Sequence, residues 1–169
     1  MQIRLLTTDD AAALRAIRLE AVEQEPFAFG ASLEEERNRS LEEWQARLVA
    51  SNREESGYIG AFDGGELFGL IGYFRHKGAK VRHKASIVSM YVKKAHRGTG
   101  VAGELMKAAL THLKAFGDVD QVQLAVVTSN ESAVRFYEKM GFLQYGLEKR
   151  ALRIEGTYVD EAHMYMLME

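Results

Sequence analysis

The stretch of sequence that decides the fold reads Val88-Ser89-Met90-Tyr91-Val92-Lys93-Lys94-Ala95-His96-Arg97-Gly98-Thr99-Gly100-Val101-Ala102-Gly103. It begins as an apolar strand and runs into a helix whose apolar residues, from Val101 to Leu113, recur at helical spacing. Glycines directly before a helix let the backbone approach a ligand and leave its N–H groups free. Those donors, with the positive end of the helix dipole, predict a pyrophosphate site between Arg97 and Gly103.

The strand before this loop, Ala85 to Val92, changes the face of its apolar alternation between Ile87 and Val88. A change of this kind indicates either a β-bulge or burial on both faces of the sheet. We therefore expect an irregular strand immediately before the loop.

Three interpretations of the loop compete. In the first, the glycines serve only packing at a helix start, and the basic residues form a solvated surface. In the second, Gly98-x-Gly100-x-x-Gly103 is the G-x-G-x-x-G pattern of a dinucleotide-binding fold. That fold places the glycines directly after the strand and an acidic residue at the end of the next strand. Here five residues, Lys93 to Arg97, intervene, and Asp118 and Asp120 precede the next strand.

The third interpretation rests on a resemblance. Arg97-x-x-Gly100-x-Ala102 is similar to the R/Q-x-x-G-x-G/A motif of the GNAT superfamily of acyl-CoA N-acyltransferases. Downstream, Asn130-Glu131-Ser132-Ala133-Val134-Arg135-Phe136-Tyr137-Glu138-Lys139-Met140-Gly141-Phe142 resembles the second motif of that family, N-x-x-A-x-x-F-Y-x-x-x-G-F. Two motifs at the usual separation are far more specific than either alone, so the resemblance is the interpretation that we adopt.

The rest of the chain fits this family in its order of elements. A short strand at Ile3–Leu6 precedes two helices, the second of which begins with a capping box at Ser40 and Glu43. A hairpin turning at Asp63-Gly64-Gly65 follows, and two strands end the chain after the second motif. We expect an α+β fold in which residues 1–169 form a single domain. This three-layer α/β/α sandwich would contain a mixed, mostly antiparallel sheet of about seven strands.

The resemblance implies that acetyl-CoA is the cosubstrate. Its pantetheine arm would run beside Met90–Val92, where a backbone N–H would polarise the thioester carbonyl. Its pyrophosphate would sit on the amides from Arg97 to Gly103, and Asn130 would bind the arm. The expected cofactor-binding residues are Met90, Tyr91, Val92, Arg97, Gly98, Thr99, Gly100, Val101, Ala102, Gly103, Asn130, Ala133 and Phe136.

The resemblance also implies a reaction and a catalytic residue. An acetyl group would pass directly to a primary amine in a ternary complex, with Tyr137 as the general acid that protonates the CoA thiolate. The alternative is that Tyr137 is plain helix packing. A cysteine acyl-enzyme is excluded because the chain has no cysteine. The base stays open between Asp160, Glu161 and a water chain, since Ser86, the nearest equivalent of a glutamate that some relatives use, cannot act as a base.

Composition limits the partners. A net charge of −2 argues against nucleic acid, and no apolar run approaches the ~20 residues that cross a bilayer. The five histidines lack metal spacing, so we expect no metal. The acidic run Glu34-Glu35-Glu36 is interpreted as solvated surface in preference to a site for a cationic amine.

We expect a cytoplasmic enzyme whose acceptor is a small-molecule amine or an amino group of a peptide or protein. A homodimer paired through the Met-rich last strand, which carries Met164, Met166 and Met168, is a further expectation. The competing functional class is an acyl-CoA-binding module without catalysis.

Overall fold

A computed structural model describes residues 1–49 and 55–168, which form one seven-stranded sheet with helices on both faces. The strands are β1 (Gln2–Leu5), β2 (Ser56–Asp63), β3 (Glu66–Arg75), β4 (Lys84–Val92), β5 (Gln121–Val127), β6 (Leu143–Ile154) and β7 (Thr157–Leu167). The α-helices are α1 (Ala11–Gln24), α2 (Leu33–Asn38), α3 (Leu41–Ala46), α4 (Val101–Lys114) and α5 (Glu131–Lys139), with 3-10 turns at Thr8–Asp10 and Lys94–His96.

The strands lie in the order β1-β2-β3-β4-β5-β7-β6, and only the β4–β5 pair is parallel. The expected mixed, mostly antiparallel sheet of about seven strands is therefore confirmed. No helix in the described ranges has the length and apolar character needed to cross a membrane. The cytoplasmic location stays a prediction.

Two separate hydrophobic cores make this a three-layer sandwich. Helices α4 and α5 cover one face of the sheet, where Leu105, Met106 and Leu113 are fully buried. The short N-terminal helices cover the other face, where Leu14 of α1 packs with Trp44 of α3. Burial of side chains of this size contributes ~1.5–3 kcal/mol each, so both cores are needed to hold the layers together.

The N-terminal region contains one more helix than the sequence analysis predicted. Helix α2 begins at a capping box in which the Ser32 N–H donates to Glu35 Oε2 at 3.0 Å and the Glu35 N–H donates to Ser32 Oγ at 3.1 Å. The predicted capping box at Ser40 and Glu43 is present at the start of α3. The two-helix prediction was wrong because the acidic run between the two predicted helices, expected to be solvated surface, forms part of a helix of its own, α2.

The predicted hairpin joins β2 to β3. Gly64 and Gly65, its central residues, have φ of 54° and 88°, the left-handed conformation that glycine adopts without a Cβ clash. At the other end of the chain, β7 lies between β5 and β6 and is paired on both edges. This double pairing holds for residues 161–165 of β7, and a homodimer through the last strand stays a prediction.

Strand β4 carries a β-bulge. Leu70 pairs with Tyr91 and Gly72 with Val88, so that Ser89 and Met90 together oppose a single residue of β3. Ser89 has a φ of 56°. The bulge lies just beyond the predicted break at Ile87/Val88, because Val88 is still in regular register opposite Gly72, and its side chain is 38% exposed where it lines the cleft described below.

Beyond their first residues, β4 and β5 part. Their parallel pairing is confined to Lys84–Ser86 opposite Gln121–Gln123. The remainder of β4 keeps β3 as its neighbour, and the remainder of β5 keeps β7. The sheet is therefore open between the two strands, and this opening holds the site.

Candidate active site

A cleft of about 530 Å³ occupies the opening between β4 and β5. It reaches both faces of the sheet, because its walls include Ala28 and Phe29 from beside α1 as well as residues of α4 and α5. Most of the residues that the sequence predicted for acetyl-CoA lie along it. They are Met90, Tyr91, Val92, Arg97, Gly98, Ala102, Asn130, Ala133, Phe136 and Tyr137.

The other predicted cofactor residues belong to the same loop but do not line the cleft. The Thr99 hydroxyl donates to the carbonyl of His96 at 2.7 Å. Val101 is the first residue of α4, and its side chain is buried in the core between this helix and the sheet. Gly100 is the N-cap of α4 with a φ of 88°, and Gly103 lies in the first turn. These four residues shape the loop and present its backbone.

The loop holds a run of free backbone donors. Among the described residues, none accepts a hydrogen bond from the N–H groups of Gly98 to Gly103, and the helical pattern begins with the Glu104 N–H donating to the Gly100 carbonyl at 3.2 Å. A Cβ built at Gly98, Gly100 or Gly103 would meet nothing within 4 Å. The amides therefore face open space at the positive end of the helix dipole, which is the arrangement that binds phosphate.

Arg97 is held by the protein itself. Its Nε donates to the Val92 carbonyl at 2.9 Å, and its Nη1 lies 3.0 Å from Glu25 Oε1. The guanidinium thereby ties the loop to the end of β4 and to the end of α1. This geometry favours a role in shaping the loop, with the backbone amides as the main phosphate donors.

Asn130 caps α5. Its Oδ1 accepts from the Ala133 N–H at 3.2 Å and from the Ser132 hydroxyl at 3.0 Å. The carboxamide oxygen is therefore occupied, and the amide nitrogen is the part of the side chain that is left to donate to a ligand. The cap also fixes the start of the helix that carries Tyr137.

Tyr137 lies in the wall of the cleft and is 9% exposed. Burial raises the pKa of its hydroxyl to about 12, so the group carries its proton at neutral pH. The hydroxyl has no hydrogen-bond partner in the part of the chain that the structure describes. Phe136 and Phe142 pack against its ring edge to face and hold it in place.

The two acidic candidates for the base have different surroundings. Asp160 accepts from Lys149 Nζ and from the Arg150 N–H, both at 2.8 Å, and these bonds hold the pKa of Asp160 below its ordinary value. Glu161 pairs with Val127 across β5 and β7, which puts both side chains on one face of the sheet beside the cleft. Burial raises the pKa of Glu161. Its neighbour His163 is bonded to Glu148 at 2.9 Å.

Some of the cleft was not predicted from the sequence. Glu25, Ala28 and Phe29 come from the segment after α1, which carries no motif, and Leu124 to Val127 come from β5. The apolar run of β5 predicted a buried strand, but nothing in it indicated that one edge is open. Glu36, which was interpreted as solvated, is instead buried and paired with Arg18.

A sheet opened between two parallel strands beside free helix-start amides fits the acyl-CoA N-acyltransferases that the two sequence motifs resemble. Residues 15–142 match the model of the acetyltransferase (GNAT) family. The chain belongs to this family and is an acetyl-CoA-dependent acyltransferase.

One relative in sequence and two solved structures illustrate what this chain is similar to. The chain is 32% identical over 113 residues to the N-alpha-acetyltransferase RimI of Mycobacterium tuberculosis, a match that covers 64% of this chain and 68% of the relative. The acetyltransferase of the GNAT family from Streptococcus pneumoniae has a similar structure, with a TM-score of 0.88 at 26% identity over 99% of both chains. The structure of yncA from Salmonella typhimurium with its cofactor acetyl-CoA has a TM-score of 0.86 at 19% identity, over 100% of this chain and 94% of that one.

Proposed function

We propose that the protein transfers acetyl from acetyl-CoA directly to a primary amine, and that both substrates are bound at once in the β4–β5 cleft. The observation that carries the proposal is the opening of the sheet beside the free amides of Gly98–Gly103. It offers a polar end for a pyrophosphate and an unpaired strand edge for an extended arm. The N-alpha-acetyltransferase name of the RimI relative is consistent with an amino group as acceptor.

Acetyl-CoA enters from the face that α4 and α5 cover. Its pyrophosphate takes the amides at the start of α4, and each such bond to a charged group contributes ~1.5–3 kcal/mol. The pantetheine arm then runs beside β4, whose edge toward β5 is unpaired beyond Ser86. The amide nitrogen of Asn130 donates to the arm. That yncA is known with acetyl-CoA supports this cosubstrate.

The thioester lies at the bulge of β4. A backbone N–H near Met90–Val92 donates to its carbonyl oxygen and stabilises the negative charge that develops there. A fixed donor of this kind contributes ~2.7–4 kcal/mol to transition-state stabilisation in other enzymes.

The acceptor approaches from the face of α1, where Phe29 lines the cleft. Its nitrogen loses a proton to the base and forms the new C–N bond, while the C–S bond to CoA breaks. The Tyr137 hydroxyl donates its proton to the departing thiolate and is reprotonated from solvent. An acceptor that arrives as ammonium first releases one proton to solvent, and the base later returns to solvent the proton that it takes during attack. The products are the amide and the CoA thiol, and no acyl-enzyme forms.

Glu161 is the base that we propose. Its place beside Val127 at the acceptor side, and a pKa raised by burial, suit proton removal, whereas Asp160 is occupied by Lys149 and Arg150. We expect Glu161→Gln to lower kcat by ~10²-fold, in the range of general-base contributions. The matched control Asp160→Asn, one residue away, should keep kcat. If both variants keep the kcat of the wild type, Glu161 is not the base, and a water chain takes that role.

The function is tested by ligand binding and thiol release. Acetyl-CoA at a hundred times its Kd should stabilise the fold by ~2.7 kcal/mol, which a thermal melt detects readily, and NAD should not. Amines are then screened for CoA release with a thiol reagent, and the only thiol in the assay is that of CoA because the chain has no cysteine. If acetyl-CoA binds but is transferred to no amine, the protein is an acyl-CoA-binding module without catalysis. If acetyl-CoA does not bind, the proposed site is wrong.

A further inference from the structure

We infer that Arg18 is a positioning residue for acetyl transfer. Held by a buried ion pair with Glu36, it fixes the bulge of β4 through the side chain of Ser89. The inference rests on the proposed function, in which the thioester lies at that bulge. It assigns a role to a charged pair that no step of the reaction uses.

The pair joins the first two helices inside the protein. Arg18 of α1 and Glu36 of α2 are 6% and 2% exposed, and Arg18 Nη2 lies 3.1 Å from Glu36 Oε1. Arg18 Nε and Glu36 Oε2 are buried without a hydrogen-bond partner in the described residues. Two charges withdrawn from water cost free energy that their attraction often fails to recover, so a pair of this kind is weak evidence for stability alone.

The second nitrogen of the Arg18 guanidinium reaches the strand. Nη1 donates to Ser89 Oγ at 3.1 Å. Ser89 has a φ of 56°, a conformation that a residue other than glycine keeps only where its surroundings impose it. Arg18 contacts Ser89 through this hydrogen bond, and Glu36 holds Arg18 in place.

The bulge is the part of β4 that forms the cleft wall. Ser89 lines the cleft and immediately precedes Met90 and Tyr91, beside which we place the thioester. The Arg18 guanidinium also lies over the Phe29 ring, 5.3 Å from its centroid, and Phe29 is part of the same wall. One buried side chain therefore contacts both the strand that faces the thioester and the segment that faces the acceptor.

Ser89→Ala is the variant that isolates this contact. It removes Oγ but keeps the Cβ and both charges of the pair, whereas loss of Arg18 or Glu36 alone would leave a buried unpaired charge and endanger folding. We expect kcat to fall about tenfold, as a lost bond to a charged group would cause. The Kd of CoA should stay close to that of the wild type because the phosphate loop does not change, and the melting temperature should fall by no more than the loss of this one hydrogen bond causes.

A double replacement tests whether Arg18 acts through Ser89. Arg18→Met/Glu36→Leu removes both charges together and keeps the volume, which buried pairs in other proteins tolerate. In that background Ser89→Ala should lower kcat no further. Losses that multiply, or wild-type kcat in Ser89→Ala alone, would overturn the inference.

A measurement on the free protein separates this inference from the proposed function. Amide hydrogen exchange at Ser89–Tyr91 without ligand should be faster in Ser89→Ala than in the wild type, because the bulge is then less restrained. Unchanged exchange would overturn the inference even if acetyl transfer is confirmed. Faster exchange in a protein that transfers acetyl to no amine would support the role of Arg18 in the bulge and contradict the proposed function instead.

Discussion

Tyr137→Phe should lower kcat by ~10²–10⁴-fold and leave the Kd of CoA almost unchanged. The change removes one oxygen from a buried ring and keeps its packing on Phe136 and Phe142. The thiolate would then leave without a proton from the protein. The measurement is steady-state transfer to the amine found in the screen, together with calorimetric titration of CoA.

Tyr73→Phe is the matched control for this experiment. Tyr73 is also a buried tyrosine of the same core, but its hydroxyl is bonded to His112 Nε2 at 2.7 Å and is not part of the cleft. We expect this variant to be less stable with an unchanged kcat. Since the pKa of Tyr137 is about 12, the wild type should show no alkaline loss of the acid below pH ~10. Full turnover in Tyr137→Phe would take Tyr137 out of the mechanism.

Gly103→Glu should weaken CoA binding strongly while stabilising the free protein. A Cβ at Gly103 meets nothing within 4 Å, and glutamate is a better helix former than glycine by ~1 kcal/mol. A carboxylate in the first turn of α4 also suits the helix dipole. It would, however, stand where we place the pyrophosphate. Like charges 4 Å apart repel by ~1–4 kcal/mol, so the Kd of CoA should rise ~10–10³-fold.

Gly103→Gln separates charge from bulk, because it adds a side chain of the same length without the negative charge. We expect a much smaller loss of affinity than for glutamate, and the difference should shrink with added salt. Thermal melts of the free proteins and titrations of CoA at two ionic strengths give both quantities. Equal affinities for the glutamate and glutamine variants would mean that no phosphate lies near the start of α4.

The parts of the site that could be predicted are those encoded in neighbouring residues. Glycines beside a helix start predict free amides from local geometry alone, and the loop from Arg97 to Gly103 has that form. The helix that carries Tyr137 could be predicted in the same way, since its cap at Asn130 and its apolar face lie within a few residues of each other in the sequence. In both elements the residues that interact are also close in the sequence, so the spacing of residues predicts where they lie in the structure.

Features that depend on distant contacts could not be predicted. Glu36 sits in a run of three glutamates, and nothing local marks it as the buried one, because its partner Arg18 lies on another helix. The change of alternation at Ile87/Val88 precedes the bulge at Ser89 and Met90, because Val88 keeps regular register and is exposed to the cleft. One edge of β5 is open because β4 turns away from it beyond Ser86, and the apolar sequence of β5 gives no sign of this.

The narrow joint between β4 and β5 gives the molecule a particular mechanical character. In the described part of the chain, a four-stranded sheet joins a three-stranded one through the pairing of Lys84–Ser86 with Gln121–Gln123 and through the His83 carbonyl, which accepts from the Asp120 and Gln121 N–H groups. A cofactor bound in the opening would contact both parts of the sheet and restrain their motion relative to each other. Occupancy should therefore stiffen the whole molecule, so that the enzyme is most rigid at the moment when its two substrates must be held in register.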